Sequence, residues 1–390
     1  MRHHFGKNLI LSILLTLICA ASYAGDGVRF AYDLYFDFNF DNREFNEGAF
    51  KNSMTVFGAR LTPTIGVDFK QNSKFNHRLM AGIDIMKDFG ASPVPISITG
   101  DPDAAESSPK LNNASLFREI TIYYNLNADF GKTKMNLYAG IFPRRFCNGK
   151  YPDAFRSDSL DFYDNNIEGL LLAFHRPKAK YEVGCDWIGQ YGTFRRERFQ
   201  LFTSGLANVA GPFSLGWYAV MDHYACSSKV GGVFDNILVN PYARLNFAKW
   251  TGMQELSLTL GWMQALQQDR SNVGHYVFPF GCEVGVRAKK WNVLLEYRLF
   301  AGKDLMPYYD SFDASGVKYG SNLYWGDPLY RSPLYNRLEL RYEPVIWESL
   351  KISVGAVAHF CGNSFAGWQQ KVGITFDLER LLKCKSQKRK

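Results

Sequence analysis

From Val28 onward the chain alternates. Val28, Phe30, Tyr32, Leu34, Phe36, Phe38 and Phe40 occupy one parity, and Arg29, Ala31, Asp33, Tyr35, Asp37 and Asn39 the other. Strict period-2 alternation over this length predicts a β-strand. Strands of soluble sandwiches are usually about half as long, whereas a tilted strand crossing a bilayer needs about 9–11 residues. The next segment repeats the pattern. Thr55, Phe57, Ala59, Leu61, Pro63, Ile65, Val67 and Phe69 alternate with Val56, Gly58, Arg60, Thr62, Thr64, Gly66 and Asp68. One face is apolar and the other small and polar, which predicts lipid outside and water inside.

The same rule holds for His77–Met86, Leu116–Phe130, Lys134–Phe142, Ile167–His175, Tyr181–Gly189, Arg196–Thr203, Phe213–His223 and Ile237–Phe247. It continues through Glu255–Ala265, Tyr276–Ala288, Trp291–Phe300, Tyr335–Glu343, Leu350–Phe360 and Trp368–Leu378, giving sixteen segments. Arg196–Thr203 is the least regular of them, and the pattern leaves 14 or 18 open. The connections alternate in length. Gly131–Thr133, Arg176–Lys180 and Lys289–Lys290 are short, while Asp41–Met54, Asp88–Ser115, Pro143–Asn166, Tyr224–Asn236 and Ala301–Leu334 are long. Short periplasmic turns and long extracellular loops are the expected asymmetry of an all-β, antiparallel, up-and-down transmembrane barrel. An even strand count places both ends of the barrel in the periplasm.

The chain start fits this export route. Arg2 and Lys7 precede an apolar run, Leu9–Ala21, and Ser22-Tyr23-Ala24 offers a cleavage site before Gly25. Cys19 follows Ile18, which does not suit a lipoprotein signal. Three parts are therefore expected: a cleaved signal over 1–24, a barrel over 25–378 and a basic periplasmic tail over 379–390. No later run reaches the roughly 18 apolar residues of a membrane helix. The formal charge of +8 is mostly terminal: +2 lies in the signal and +5 in the tail, leaving the body near +1. That balance argues against a nucleic-acid partner. Cys185 and Cys282 are expected to face outward on strands. Cys147, Cys226 and Cys361 fall in loops on one side, where a disulfide among them is open.

One stretch breaks the alternation. Phe142–Glu168 carries Arg144, Arg145, Lys150 and Arg156 together with Asp153, Asp158, Asp161, Asp164 and Glu168. Tyr151, Phe155, Phe162 and Tyr163 are spaced through these charges. Rings packed on a barrel wall, with charges facing water, would account for that mixture.

The chain resembles the outer-membrane porin family, on architecture and over nearly all of its mature length. The resemblance implies that the third long loop, Pro143–Asn166, folds into the lumen as a constriction, and that a homotrimer is possible. The twelve residues after Leu378 depart from porins, whose chains typically end on an aromatic residue closing the last strand.

The inward parity is rich in charge. Arg60, Asp68, Arg78, Asp84, Glu119, Arg244, Glu283, Arg287, Glu296, Arg298, Arg337, Glu339 and Arg341 all fall on it, as do Asp33, Asp37, Glu182, Asp186 and Glu343. Such charges must be solvated or paired, so they either line an open pore or lock a filled barrel; the sixteen-strand width favours the pore.

Catalytic and metal patterns are sparse. None of His77, His175, His223, His275 or His359 is followed two residues later by Ser, and Asp222-His223 point to opposite faces. Metal sites need clustered ligands, and the histidines are scattered. Pairs such as Asp101 and Asp103, or Asp310 and Asp313, read as solvated loop charge.

The expectation is a non-enzymatic outer-membrane channel for small hydrophilic solutes, with no cofactor. Its partners would be outer-membrane lipid, its solutes and the barrel-assembly machinery. The alternative is a closed barrel acting through its extracellular loops, as an adhesin or a surface-complex partner.

Overall fold

The computed structural model describes residues 27–90, 117–193, 195–271 and 273–378. The expected signal and tail, Asp101, Asp103, Cys384 and most of the second long loop lie outside the described residues. The strands form one antiparallel sheet that closes on itself. The first, β1 (Val28–Phe45), pairs on one edge with β2 (Met54–Lys70) and on the other with the last, β17 (Ser364–Asp377). Tyr35 meets Asp377 and Phe45 meets Gly367 across the closing seam. Closure leaves no unpaired edge in lipid.

The strands between are β3 (Phe75–Asp88), β4 (Phe117–Asp129), β5 (Lys134–Pro143), β6 (Asn166–Arg176), β7 (Ala179–Gly189), β8 (Arg198–Ala210) and β9 (Phe213–Ala225). They continue with β10 (Val233–Asn246), β11 (Glu255–Asp269), β12 (Phe280–Lys290), β13 (Val293–Gly302), β14 (Leu334–Tyr342) and β16 (Leu350–Cys361). Among the described residues these make a closed barrel of sixteen long strands. β15 (Val345–Trp347) is a three-residue piece that continues the line of β14 against β16. Pro344, which lacks a backbone N–H, separates the two.

Alternation sorts the side chains as expected. On β4, Ile120 and Ile122 are 68% and 53% exposed on the outer face, while Thr121 between them is fully buried. Leu170, Val183, Leu201, Leu215 and Leu260 continue the apolar exterior around the barrel.

Boundaries differ where the cue is not hydrophobic. β1 runs on through Asp41, Arg43 and Glu44, pairing with β17 as far as Phe45. Beyond Phe40 its outward residues no longer need to be apolar, which fits a wall that rises above the bilayer. β8 runs through Ser204-Gly205 to Ala210 instead of stopping at Thr203. Trp217 of β9 lies opposite Gly205 and would meet any Cβ there, so a bulky neighbour covers a residue with no side chain of its own. The turn after β12 is Trp291-Asn292, both at positive φ (53° and 65°), instead of Lys289–Lys290. Two consecutive left-handed residues make the tight connection that antiparallel twist favours. Asn292 thus belongs to a turn and not to an inward strand position.

The interior also departs from expectation. Beside its polar groups it holds a packed apolar cluster of Tyr123, Phe142, Phe155, Phe202, Met263, Phe300, Leu329 and Tyr330. The cysteines among the described residues are all free, so Cys147, Cys226 and Cys361 form no disulfide.

Outward Val354 and inward Ser353 are neighbours on β16. Val354→Arg should cost about 2–4 kcal/mol near the bilayer midplane, and Ser353→Arg less than about 1 kcal/mol. Equal losses in urea unfolding of the barrel in liposomes would contradict a lipid–lumen alternation.

Candidate functional site

The segment between β5 and β6 enters the barrel. A 3₁₀ turn over Arg144–Phe146 starts it, and a short helix, α1 (Asp158–Tyr163), precedes its return. Rings hold it to the wall. Phe146 stacks on Tyr138 of β5 at 4.8 Å, and Tyr151 packs against Phe202 and Tyr218. Phe155 is buried in the interior cluster, and Phe162 packs on Val56 and Met86. Tyr163, expected to act as a third anchor, remains 39% exposed.

The charges of this loop meet wall charges on several sides. Arg144 pairs with Asp186 of β7, and Arg145 with Asp33 of β1 at 3.3 Å, its guanidinium lying over Tyr35. Asp153 receives Arg298 of β13 at 3.0 Å, with Arg337 of β14 3.6 Å away and Lys150 of the loop 3.2 Å away. Asp158 pairs with Lys371 of β17 at 2.5 Å and with Lys150. Arg156 holds Asp161 at 2.6 Å and lies 3.3 Å from Asp164. From the wall, Arg60 pairs with Asp84 and donates to the Phe162 carbonyl. Asn166 donates to Glu119 at 2.7 Å and to Asp84 at 3.2 Å. Burial alone would raise the Asp153 carboxyl, but Lys150, Arg298 and Arg337 outweigh it and hold the group well below the usual carboxylate range.

A second loop, 303–333, also packs inward. Leu305, Leu329 and Tyr330 join the interior cluster, and Tyr330 donates to Glu283 at 2.9 Å. The two loops bond directly: Ser157 N–H to Trp325 O at 2.8 Å, and Asp327 N–H to Asp153 O at 2.7 Å. Asp313 is no solvated charge, since Arg196 at 2.9 Å and Tyr224 at 2.7 Å hold it. The density of tyrosine in this loop was the available signal for its inward packing.

Other inward charges pair along the wall. Arg78 bonds Asp68 at 2.6 Å, and Arg287 bonds Glu255 at 2.9 Å and Glu296. Glu339 bridges Arg337 at 2.7 Å and Arg341 at 3.0 Å. Arg244 rests on Thr259 and Tyr242. Cavities remain around the inserted loop among the described residues. One, of about 580 Å³, is lined by Arg144, Arg145, Lys150, Tyr151, Phe155, Arg156 and Asp161 of the loop, with Gln200, Phe202 and Lys351 of the wall. Another, of about 710 Å³, lies between Arg43, Lys51, Tyr163, Trp325 and Arg331.

A further pair lies on the outer face. At the barrel end from which the inserted loop enters, Trp187 of β7, Phe199 of β8 and His223 of β9 stack in a row, with ring centroids 5.2 and 4.7 Å apart. His223 Nδ1 is 3.7 Å from Asp235 of β10, which Arg270 also holds at 2.5 Å. Nε2 of His223 has no hydrogen-bond partner among the described residues. Alternation along a single strand does not reveal this pair, because its members sit opposite each other on neighbouring strands. No cluster of three or more metal-ligating side chains occurs among the described residues.

Comparison with family models matches residues 30–271, more than half of the chain, to the lipid A 3'-O-deacylase-type family. The chain belongs to that family. The match spans β1 to β11, including the inserted loop and the His223–Asp235 pair. Membership of a deacylase-type family overturns the expectation of a non-enzyme; the local motifs sought on single strands were too narrow a test. A comparison with curated proteins finds no match. Similar solved structures include OmpT of Vibrio cholerae in its trimer form, at 8% identity and a TM-score of 0.48, over 89% of this chain and 99% of that one. Salmonella typhi OmpF, in complex with daunomycin, is similar at 8% identity and a TM-score of 0.47, over 91% and 99%. The outer membrane channel DcaP of Acinetobacter baumannii is similar at 10% identity and a TM-score of 0.45, over 91% and 98%.

Asp153→Asn should release the deacylase-family loop from the far wall. Breaking one partner of a buried pair costs about 3 kcal/mol or more, so trypsin should cut at Arg144, Arg145 or Lys150 in the folded variant. Equal resistance of variant and wild type would show that the pair does not hold the loop.

Proposed function

We propose that the protein is an outer-membrane hydrolase that removes an ester-linked acyl chain from lipid A in the leaflet around its own wall. The observation that carries this reading is the family match over residues 30–271. Two features support it. The apolar exterior suits a barrel immersed in its substrate's own solvent. The His223–Asp235 pair lies on that exterior near the extracellular rim, where the head group of an outer-leaflet lipid would rest.

Ester hydrolysis needs a base for the attacking water and a donor for the leaving oxygen. In this reading Nε2 of His223 takes a proton from water as the hydroxide adds to the ester carbonyl. The tetrahedral intermediate collapses with rupture of the acyl–oxygen bond, and the sugar oxygen leaves with the proton from His223. Asp235 orients the ring through Nδ1, a contact that tightens from 3.7 Å on substrate binding. Expression in a Gram-negative host with fully acylated lipid A should lower the lipid A mass by one acyl chain. His223→Ala should abolish the change, and Asp235→Asn should slow it by about 10²-fold. Unchanged lipid A, with the barrel folded in the membrane, would sink the proposal.

The inserted loop favours a second reading, a channel for small hydrophilic solutes with Pro143–Asn166 as its constriction. Assembly as a trimer would go with this reading. Fixed charge at a narrow, low-dielectric point sets ion selectivity. Replacing Asp158, Asp161 and Asp164 together by Asn should then shift the reversal potential toward anions in planar bilayers. An unaltered potential in a conducting barrel would refute the constriction.

A further inference from the structure

We infer that the cavity of about 580 Å³ beside the inserted loop is a binding site for a small sugar phosphate. Its size falls within the ordinary range for small-molecule sites. Arg144, Arg145, Lys150, Arg156 and Lys351 line it, and Asp161 is the one carboxylate in the lining. Of the carboxylates that pair with the four loop cations, Asp33, Asp153, Asp158, Asp164 and Asp186 lie outside the lining, and Asp161, held by Arg156, lies in it. Positive groups therefore face the space, with most of their counter-charges behind them.

Donor capacity is also unspent. Arg144 Nε, Arg145 Nη1, Arg156 Nη1 and Asn148 Nδ2 are buried without a hydrogen-bond partner, and all four residues line this one cavity. A buried donor left unpaired costs free energy, and the residues that carry these four are gathered at one space. Guanidinium forks match phosphate oxygens two at a time. Tyr151, Phe155 and Phe202 form the rest of the wall, a surface on which the apolar face of a sugar ring can lie. Such a ligand differs from lipid A in reaching the site from the aqueous lumen, since the barrel wall separates the cavity from the bilayer.

Titration calorimetry on the refolded full-length protein, in detergent free of lipid A, tests this with glucose 1-phosphate as the probe. Glucose 1-phosphate should bind saturably and at least about tenfold more tightly than glucose. Lys351→Gln should weaken binding by about tenfold and Asp161→Asn should tighten it. Lys351 lies on the wall, so its replacement leaves the loop's ring anchors in place. Equal affinity for glucose and glucose 1-phosphate would overturn the inference. So would unchanged affinity in both variants, or binding of lipid A micelles without binding of the free sugar phosphate.

Discussion

Asp153 is the point on which the interior depends. Its carboxylate meets Arg298 and Arg337 from the far wall and Lys150 from its own loop, while its carbonyl accepts from Asp327 of the second loop. Arg337, almost fully buried, would be expensive to leave unpaired at that depth. Asp153 therefore ties two loops and two strands into one unit. The consequence extends along the wall, because Arg298 and Arg337 also share Glu296, and Arg337 passes the chain of charge on to Glu339 and Arg341.

This network explains how a wide barrel comes to carry an apolar core. Sixteen strands enclose more space than side chains from the wall can fill. Here two loops bring Phe155, Leu305, Leu329 and Tyr330 into that space, and these pack on Phe142, Phe202 and Phe300 of the wall. The loops cannot satisfy their own polar backbone in such a place without partners. The bonds from Ser157 to Trp325 and from Asp327 to Asp153, with Arg60 on the Phe162 carbonyl and Glu182 on the Asn148 N–H, supply those partners. An enzyme acting on a membrane lipid from its outer wall needs no open lumen, so a filled interior and an outward reaction site are compatible.

The wall was largely legible in the sequence because lipid imposes a period of two on every strand. All sixteen long strands follow from that pattern, and deviations fall where lipid no longer acts: above the membrane at Asp41–Phe45, in the small-residue run Ser204–Ala210, and at the Trp291-Asn292 turn. The inward direction of the loop containing Asp153 was legible from its rings and charges. Its partners were not, because which wall charge meets which loop charge depends on where the chain lies in the lumen. Loop 303–333 carried the same kind of signal in Tyr308, Tyr309, Tyr319, Tyr324 and Tyr330. The outer His223–Asp235 pair left no trace along one strand, since it exists only through the register of β9 against β10.

That register has an identifiable cause on the other face of the same strands. Asp222, the residue before His223, points inward and is held there by Gln200 of β8 at 2.6 Å and by Asn236 of β10 at 3.2 Å. Gln200 follows Phe199, the ring on which His223 stacks, and Asn236 follows Asp235, the carboxylate beside its Nδ1. Adjacent residues of a strand face opposite ways. The inward trio of Gln200, Asp222 and Asn236 is therefore matched residue for residue by the outward trio of Phe199, His223 and Asp235. A one-residue slip of β9 would break the buried bonds and separate the outer pair together. The polar interior thus fixes the geometry of the His223–Asp235 pair, proposed above as the reaction site, from the opposite face of the wall.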